Sequence, residues 1–376
     1  MITLTNIKYV IIILPVLLLI SSIVVYGFLA KDNSIEVFGD VFVGVDVAYE
    51  NMEANKKRID EISSYTNLFV LGCTGITHNE TKLNELCQYA YDRGLSFIVY
   101  TERALQHQWV EQAKTWWGEK FLGFYFWDEN AGFQIDLSLW LPVMQADNYT
   151  DAANKFVNAM KASWGRMNYS NFEDRPLFTS DYALYWFDYK VGYDVVLTQF
   201  GWNYSRQLNV ALCRGAANVM NKDWGAIITY TYTEPPYLGS GEQLFDDMIL
   251  AYENGAKYIV VFDSDKNYTQ GILKEEHFKA LKDFKQYTIE NPRENEYNQD
   301  RVALVLPQGY GYGFRGPNDK IWGLWEADAL SFELSQRIGD LLEQYDKKLD
   351  IIYDENLELD SKYKKYILWN NTSYVP

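Results

Sequence analysis

The sequence predicts an α/β protein: a closed (β/α)8 barrel of the TIM type, a small C-terminal α/β domain and one N-terminal transmembrane helix. Three observations predict it. Short apolar runs alternate with helix-like segments eight times between residues 41 and 287, which is the count of such a barrel. A polar stretch, Asn291–Gln299 with Pro292, then interrupts the pattern before a further strand–helix–strand–strand unit. Before all of this, Tyr9 to Ala30 carries no charged residue. The predicted boundaries are therefore 1–30 for the anchor, 31–290 for the barrel and 300–376 for the small domain docked on it.

Taken in order, Val41–Tyr49 reads as a strand and Asn51–Tyr65 as a helix charged on one side. Leu68–Cys73 is the second strand, followed by a helix from Glu80 to a stop at Gly94. Leu95–Tyr100 is the third strand, ending in Thr101-Glu102, and its helix runs to about Trp117. The fourth strand is the run Phe121-Leu-Gly-Phe-Tyr-Phe-Trp127, followed at once by Asp128 and Glu129. An uninterrupted apolar run of this kind fits a strand buried on both faces. Two acids at its end are costly to hide and belong at the mouth of a cavity. A long connection, Asn130–Tyr149, leads to a helix from Ala152 to Trp164 capped by Asp151. Pro176–Ser180 and Tyr193–Gln199 are the fifth and sixth strands, ending near Asp181 and Gln199, with a helix from Ser205 to Met220. Trp224–Tyr232 is the seventh, followed by Thr233-Glu234-Pro235-Pro236, and a helix from Glu242 to Asn254. Ala256–Phe262 is the eighth, ending in Asp263, and a helix from Lys274 to Tyr287 closes the series. The alternative, an open doubly wound sheet, usually shows a Gly-rich turn after its first strand, and Val47-Ala48-Tyr49 has none. In the small domain, 301–306, 349–353 and 363–369 read as strands and 327–345 as a helix.

The 22 residues from Tyr9 to Ala30 are long enough as a helix to cross a bilayer core of about 30 Å. A cleaved signal peptide is the alternative, but its apolar core is ordinarily shorter. Lys8 precedes the span, while Lys31 and Asp32 nearly cancel after it, which favours an internal N-terminus and an external body. Seven Asn-x-Ser/Thr acceptors agree with that placement: Asn79, Asn148, Asn168, Asn203, Asn267, Asn370 and Asn371. The expected location is the cell membrane, single-pass, with the body outside. A net charge of −17 argues against a nucleic-acid partner, whose phosphates need a basic surface. Aromatic residues make up 16% of the chain, and their faces stack on the apolar faces of sugar rings as readily as they pack in cores. Cys73, Cys87 and Cys213 lack metal-site spacing, and His78, His107 and His277 are scattered, so neither a metal nor another cofactor is expected.

Barrel sites lie at the C-terminal ends of the strands. The polar residues there are Asp46, Glu102, Asp128, Glu129, Asp181, Gln199, Glu234, Asp263 and Asp265, and most are acids. With no histidine or lysine partner among them, acyl transfer and Schiff-base chemistry are disfavoured. Cleavage of a glycosidic bond, which takes one acid and one base or nucleophile, fits better. A glutamate after the fourth strand, in Trp127-Asp-Glu-Asn130, and another after the seventh, in Thr233-Glu-Pro-Pro236, resembles clan A glycoside hydrolases. The resemblance implies Glu129 as acid/base and Glu234 as nucleophile, acting with retention on an oligo- or polysaccharide. It covers residues 38–290 and departs from the clan at Asp128, where the clan has Asn; this admits Asp128 itself as the acid. The C-terminal unit is similar to a shortened form of the amidotransferase-like domain of some beta-galactosidases.

Tyr100, Trp127, Tyr182, Trp202, Tyr230, Tyr232 and Tyr237 are candidate sugar platforms. Gly309-Tyr-Gly-Tyr-Gly-Phe-Arg315 lacks the Lys-Ser/Thr ending of a phosphate loop. It reads instead as a loop bringing Arg315, Trp322 and Trp325 to the barrel mouth, with Arg315 available to a carboxylate. A non-catalytic carbohydrate-binding or structural protein on the same barrel is the competing expectation. It is the reading selected if Glu129 and Glu234 point apart or one is locked in an ion pair.

Overall fold

The structure, a computed structural model, describes residues 38–103, 105–166, 175–293, 300–355 and 362–376, and the predicted anchor lies outside them. Among the described residues no helix is long and apolar enough to cross a membrane. Eight parallel strands close into a barrel in sequence order. They are β1 (Phe42–Val47), β2 (Leu68–Leu71), β3 (Ser96–Thr101), β4 (Phe121–Phe126), β5 (Leu177–Asp181), β6 (Val195–Phe200), β7 (Asp223–Ile228) and β8 (Tyr258–Phe262). Between them run α1 (Met52–Ile62), α2 (Thr74–Thr77), α3 (Glu80–Asp92), α4 (His107–Trp117), α5 (Asn130–Leu137), α6 (Tyr149–Arg166), α7 (Tyr185–Val191), α8 (Arg206–Met220), α9 (Gly241–Glu253) and α10 (Glu275–Glu290). Helix starts are fixed by short polar side chains: Asn51, Asn79, Ser205 and Ser240 each accept a backbone N–H of the first turn. One expectation is corrected here. Asp151 lies inside α6, which begins at Tyr149, so it is a first-turn acid and not the cap.

Alternation along the strands sorts the side chains into two cores. Leu68, Val70, Ile98, Tyr125, Phe178, Leu197, Ile227, Tyr258 and Val260 fill the barrel. The outward set, such as Val43, Val45, Phe97, Phe124, Phe126 and Val261, packs under the helices. The interior is therefore solid, and a cavity can open only above this filling, at the C-terminal ends.

β4 carries a bulge. Phe97 pairs with Phe121 and Ile98 with Gly123, so Leu122 is extra. Gly123 sits at φ +153°, and a Cβ there would meet the Pro176 carbonyl oxygen at 2.1 Å. Bulges re-aim the side chains beyond them. This one points Tyr125 inward on the same strand whose end carries Asp128 and Glu129.

The C-terminal unit is a four-stranded sheet in the order β10-β9-β11-β12. Its members are β9 (Val302–Leu306), β10 (Leu349–Tyr353), β11 (Lys365–Leu368) and the short antiparallel β12 (Ser373–Tyr374), with α11 (Ala329–Tyr345) between β9 and β10. β10 lies directly on α8: a Cβ at Gly215 would meet the Ile351 carbonyl oxygen at 2.5 Å. The described glycosylation acceptors, Asn79, Asn148, Asn203, Asn267, Asn370 and Asn371, are all exposed, and Asn168 lies outside the described residues.

Candidate active site

A cavity of about 690 Å³ opens at the C-terminal ends of the strands. Its two sides differ in chemistry. From β1, β3 and β4 come Asp46, Glu102, Asp128 and Glu129, with Glu50 at the rim. From β6, β7 and β8 come Trp202, Ile227, Thr229, Tyr230 and Phe262, with Tyr268 above them. β3 and β4 lie across the barrel from β7 and β8, so Glu102, Asp128 and Glu129 face an aromatic wall, while Asp46 of β1 stands beside Phe262 of β8.

Strained backbone builds the acidic wall. Successive residues of a strand face opposite ways, yet Asp128 and Glu129 both line the cavity. Trp127 and Glu129 stand at φ +43° and +58°, left-handed conformations that break the alternation just past β4. Such outliers persist only where the surroundings hold them. Asp181 supplies the hold. Its carboxylate accepts N–H bonds from Ala131, Gly132 and Tyr182 at 2.8–2.9 Å, pinning the start of α5. The Glu129 N–H donates to the Ser180 carbonyl at 2.8 Å.

Glu129 Oε1 accepts from Gln199 Nε2 at 2.7 Å. The same Nε2 lies 3.2 Å from Ser180 Oγ, which accepts the Tyr125 hydroxyl at 2.7 Å. This chain across the cavity floor fixes the Glu129 carboxyl. Burial raises its pKa, against the Gln199 bond. Burial, then the neighbouring Glu129 charge, push Asp128 up to about 7, while the Tyr100 hydroxyl donates to it and pulls the other way. Asp46 is driven well above the carboxylate range, first by burial and then by the Asp128 and Asp263 charges. Gly72 is what admits it: a Cβ there would meet Asp46 Oδ1 at 2.2 Å.

A stability prediction follows. Asp128 binds its proton more tightly folded (about 7) than unfolded (3.8), so its contribution is fully present at low pH and is lost as pH rises through that window. Asp128→Asn is expected to melt higher than wild type at about pH 8 and to lose that advantage at about pH 4. Thermal melts at the two pH values check it.

The aromatic wall is locked from behind. The Tyr230 hydroxyl donates to the Ser264 carbonyl at 2.8 Å, and its ring packs edge-on against Phe262. Trp202, at φ +48°, donates its N–H to the Tyr230 carbonyl. Asp265 accepts from the Thr269 N–H and hydroxyl, shaping the turn that presents Tyr268.

Of the sequence candidates, the structure brings Asp46, Tyr100, Glu102, Asp128, Glu129, Gln199, Trp202 and Tyr230 to the cavity. Several do not reach it. Glu234 is the principal correction. β7 stops at Ile228, and Thr231 and Tyr232 donate their N–H groups to the Tyr237 carbonyl in a local turn. That turn carries Glu234 outward, where its side chain is 69% exposed and paired with Lys266. Tyr232 leaves with it and is 50% exposed. Trp127 stacks on Phe126, and its indole N–H reaches the Glu102 carbonyl. Asp181 is spent on backbone N–H groups. Asp263 is buried against Arg58 at 2.6 Å and the N–H groups of Ile272 and Leu273. Arg315 is taken by Asp136 and Asp319, and Trp322 is fully buried. Tyr182 donates to Asp136, and Tyr237 packs on Tyr230.

Sequence reasoning missed Tyr125, Ser180, Phe262 and Tyr268 as lining residues. The first two follow from the period of two once the bulge is known; Tyr268 sits on a loop with no sequence signal. Among the described residues no group of three or more His, Cys, Asp or Glu side chains is placed to hold a metal ion.

No protein-family model and no curated protein sequence matches the chain. Solved structures do. A GH5_18 glycoside hydrolase from Streptomyces cattleya, in complex with GlcNAc, superposes with a TM-score of 0.56 at 12% identity, over 88% of this chain and 99% of that one. A GH5_18 protein from Bifidobacterium longum subsp. longum, in complex with Manb1-4GlcNAc, gives 0.53 at 10% identity, over 89% and 97%. At these identities the likeness is one of fold: this chain has the TIM barrel on which those glycoside hydrolases are built.

Proposed function

We propose that the chain is a glycoside hydrolase whose chemistry is held by Asp128 and Glu129, not by a carboxylate pair across the barrel. The observation that carries this is the placement of two adjacent carboxyls, with raised pKa values, in a cavity facing an aromatic wall. A proton donor needs a pKa near the working pH, which burial supplies. Trp202, Tyr230 and Tyr268 offer flat faces to a sugar ring. The lining holds acids and, among the described residues, neither Lys nor Arg, so it favours a neutral sugar over an acidic one. Glycoside hydrolases of the same fold that hold GlcNAc and Manb1-4GlcNAc support this substrate class.

Glu129 is the proposed donor to the leaving oxygen. Gln199 orients it by the bond from its Nε2. The apolar segment at residues 9–30 is proposed to anchor the chain in the membrane with the barrel outside, as the exposed glycosylation acceptors support.

A panel of aryl glycosides tests the reading: hydrolysis of at least one is expected, and none by a folded protein counts against it. Glu234→Gln is expected to keep its rate within about twofold, since an exposed ion pair contributes little. One observation favours a second reading, a non-catalytic carbohydrate-binding protein: the Glu234–Lys266 pair removes the nucleophile that a barrel of this resemblance would use. Sugar binding without turnover, measured by calorimetry, would select it.

A further inference from the structure

The cavity holds more acid than one hydrolytic reaction uses. Asp46, Glu102, Asp128 and Glu129 all line it, with Glu50 at the rim. Glu50 is answered by Lys82, and the deeper Asp263 by Arg58. Among the described residues, no Lys or Arg lines the cavity to answer the other four. Glu129 has a neutral partner in the Gln199 amide.

The remaining three carboxyls surround one hydroxyl. Tyr100 Oη lies 3.4 Å from Glu102 Oε1 and donates to Asp128. Its pKa is raised first by burial and then by the Asp128, Glu102 and Asp46 charges. A hydroxyl has a single proton to donate, so it cannot serve three carboxyls. Asp46 goes without. It is 3% exposed, lines the cavity beside Gly72, and its Oδ1 has no hydrogen-bond partner. A buried oxygen left in that state calls for a partner from outside the fold. Tyr268 covers the group from the other side: burial raises its hydroxyl, and so do the Asp128, Glu129, Asp46 and Glu102 charges.

A neutral hydroxyl can satisfy one oxygen, but it brings no charge. A metal ion needs its carboxyl ligands drawn close together, and among the described residues no group of three or more is so placed. An ammonium accepts wider spacing. It carries three N–H donors, each about 2.8 Å from its acceptor, and is attracted to an aromatic face.

We infer that the cavity takes an amino sugar with a free, protonated amine, which donates to Asp46, Asp128 and Glu102 beneath Tyr268. This rests on the hydrolase reading above and narrows its substrate class: the lining that disfavours an acidic sugar favours a cationic one over a neutral one. The amine takes the place of the protons that burial and mutual repulsion keep on Asp46 and Asp128. Glu129, held apart by Gln199, remains for the glycosidic oxygen. Acetylating the amine removes its charge and with it the reason for the preference.

Calorimetry on the full-length chain in detergent tests this with glucosamine, N-acetylglucosamine and glucose, at about pH 7, where a sugar amine is mostly protonated. Glucosamine is expected to bind about 10–100-fold more tightly than the other two, the range for hydrogen bonds between charged groups. Asp46→Asn is expected to reduce that ratio about tenfold. Glu102→Gln, at an exposed position, is expected to reduce it in the same direction and serves as the test where Asp46→Asn does not fold. Equal or weaker binding of glucosamine, or a ratio that neither variant changes, would overturn the inference. Hydrolysis of neutral aryl glycosides by the same sample would then leave the hydrolase reading standing. A glucosamine preference that both variants reduce, in a protein that hydrolyses no aryl glycoside, would keep the amino-sugar site and remove the hydrolase reading.

Discussion

Glu129→Gln is expected to lower the rate of glycoside hydrolysis by about 10²–10⁴-fold, the range for loss of a positioned proton donor. The substitution keeps shape and polarity. The amide oxygen of the new side chain can still accept from Gln199, so the hydrogen-bonded floor of Tyr125, Ser180 and Gln199 stays intact. What disappears is the transferable proton. Initial rates on an aryl glycoside, with a thermal melt on the same sample, separate chemistry from folding. A large loss of rate with an unchanged or higher melting point is the expected pair of results.

Arg214→Ala is expected to destabilise the protein by about 3–5 kcal/mol, the range for breaking a buried ion pair on one side. Arg214, on α8, is 1% exposed, and Asp350, on β10, is 0% exposed. The guanidinium donates to Asp350 Oδ1 at 2.7 Å, Asn254 Oδ1 at 2.5 Å and the Lys347 and Leu349 carbonyls at 2.9 and 2.8 Å. One side chain thus satisfies groups from the barrel and from the C-terminal sheet. Without it the Asp350 carboxylate stays buried with Arg301 at 3.3 Å, Asn218 and Tyr363. Arg214→Met with Asp350→Leu should recover much of the loss, since an apolar pair carries no stranded charge. Urea denaturation of the single and double variants measures both. A single variant as stable as wild type would mean that the pair contributes nothing to docking.

Much of the fold was legible because parallel strands buried on both faces become continuous apolar runs. Leu68–Leu71, Phe121–Phe126 and Tyr258–Phe262 were found for that reason. β7 shows where the signal misleads. Thr229 to Tyr232 is β-branched and aromatic, so it reads as strand, but only the Thr229 N–H still reaches β6, at the Phe200 carbonyl; those of Thr231 and Tyr232 turn to Tyr237, and the strand ends at Ile228. The four-residue overreach is what placed Glu234 at a strand end in the sequence reading. α5 was read as part of a connection because Asn130–Leu137 has a single charge and no clear polar face. The position of Glu129 was legible from the apolar run before it. The reason both it and Asp128 face the cavity was not, since that depends on left-handed residues at Trp127 and Glu129 and on Asp181, fifty residues on.

The most direct measurement is a crystal structure of Glu129→Gln soaked with an uncleaved oligosaccharide. The account predicts a ring held between Asp128 and the Trp202, Tyr230 and Tyr268 faces, with the glycosidic oxygen about 2.6–3.2 Å from the side chain at position 129. A sugar bound elsewhere, or one whose scissile bond lies against Glu234 and Lys266, would contradict it.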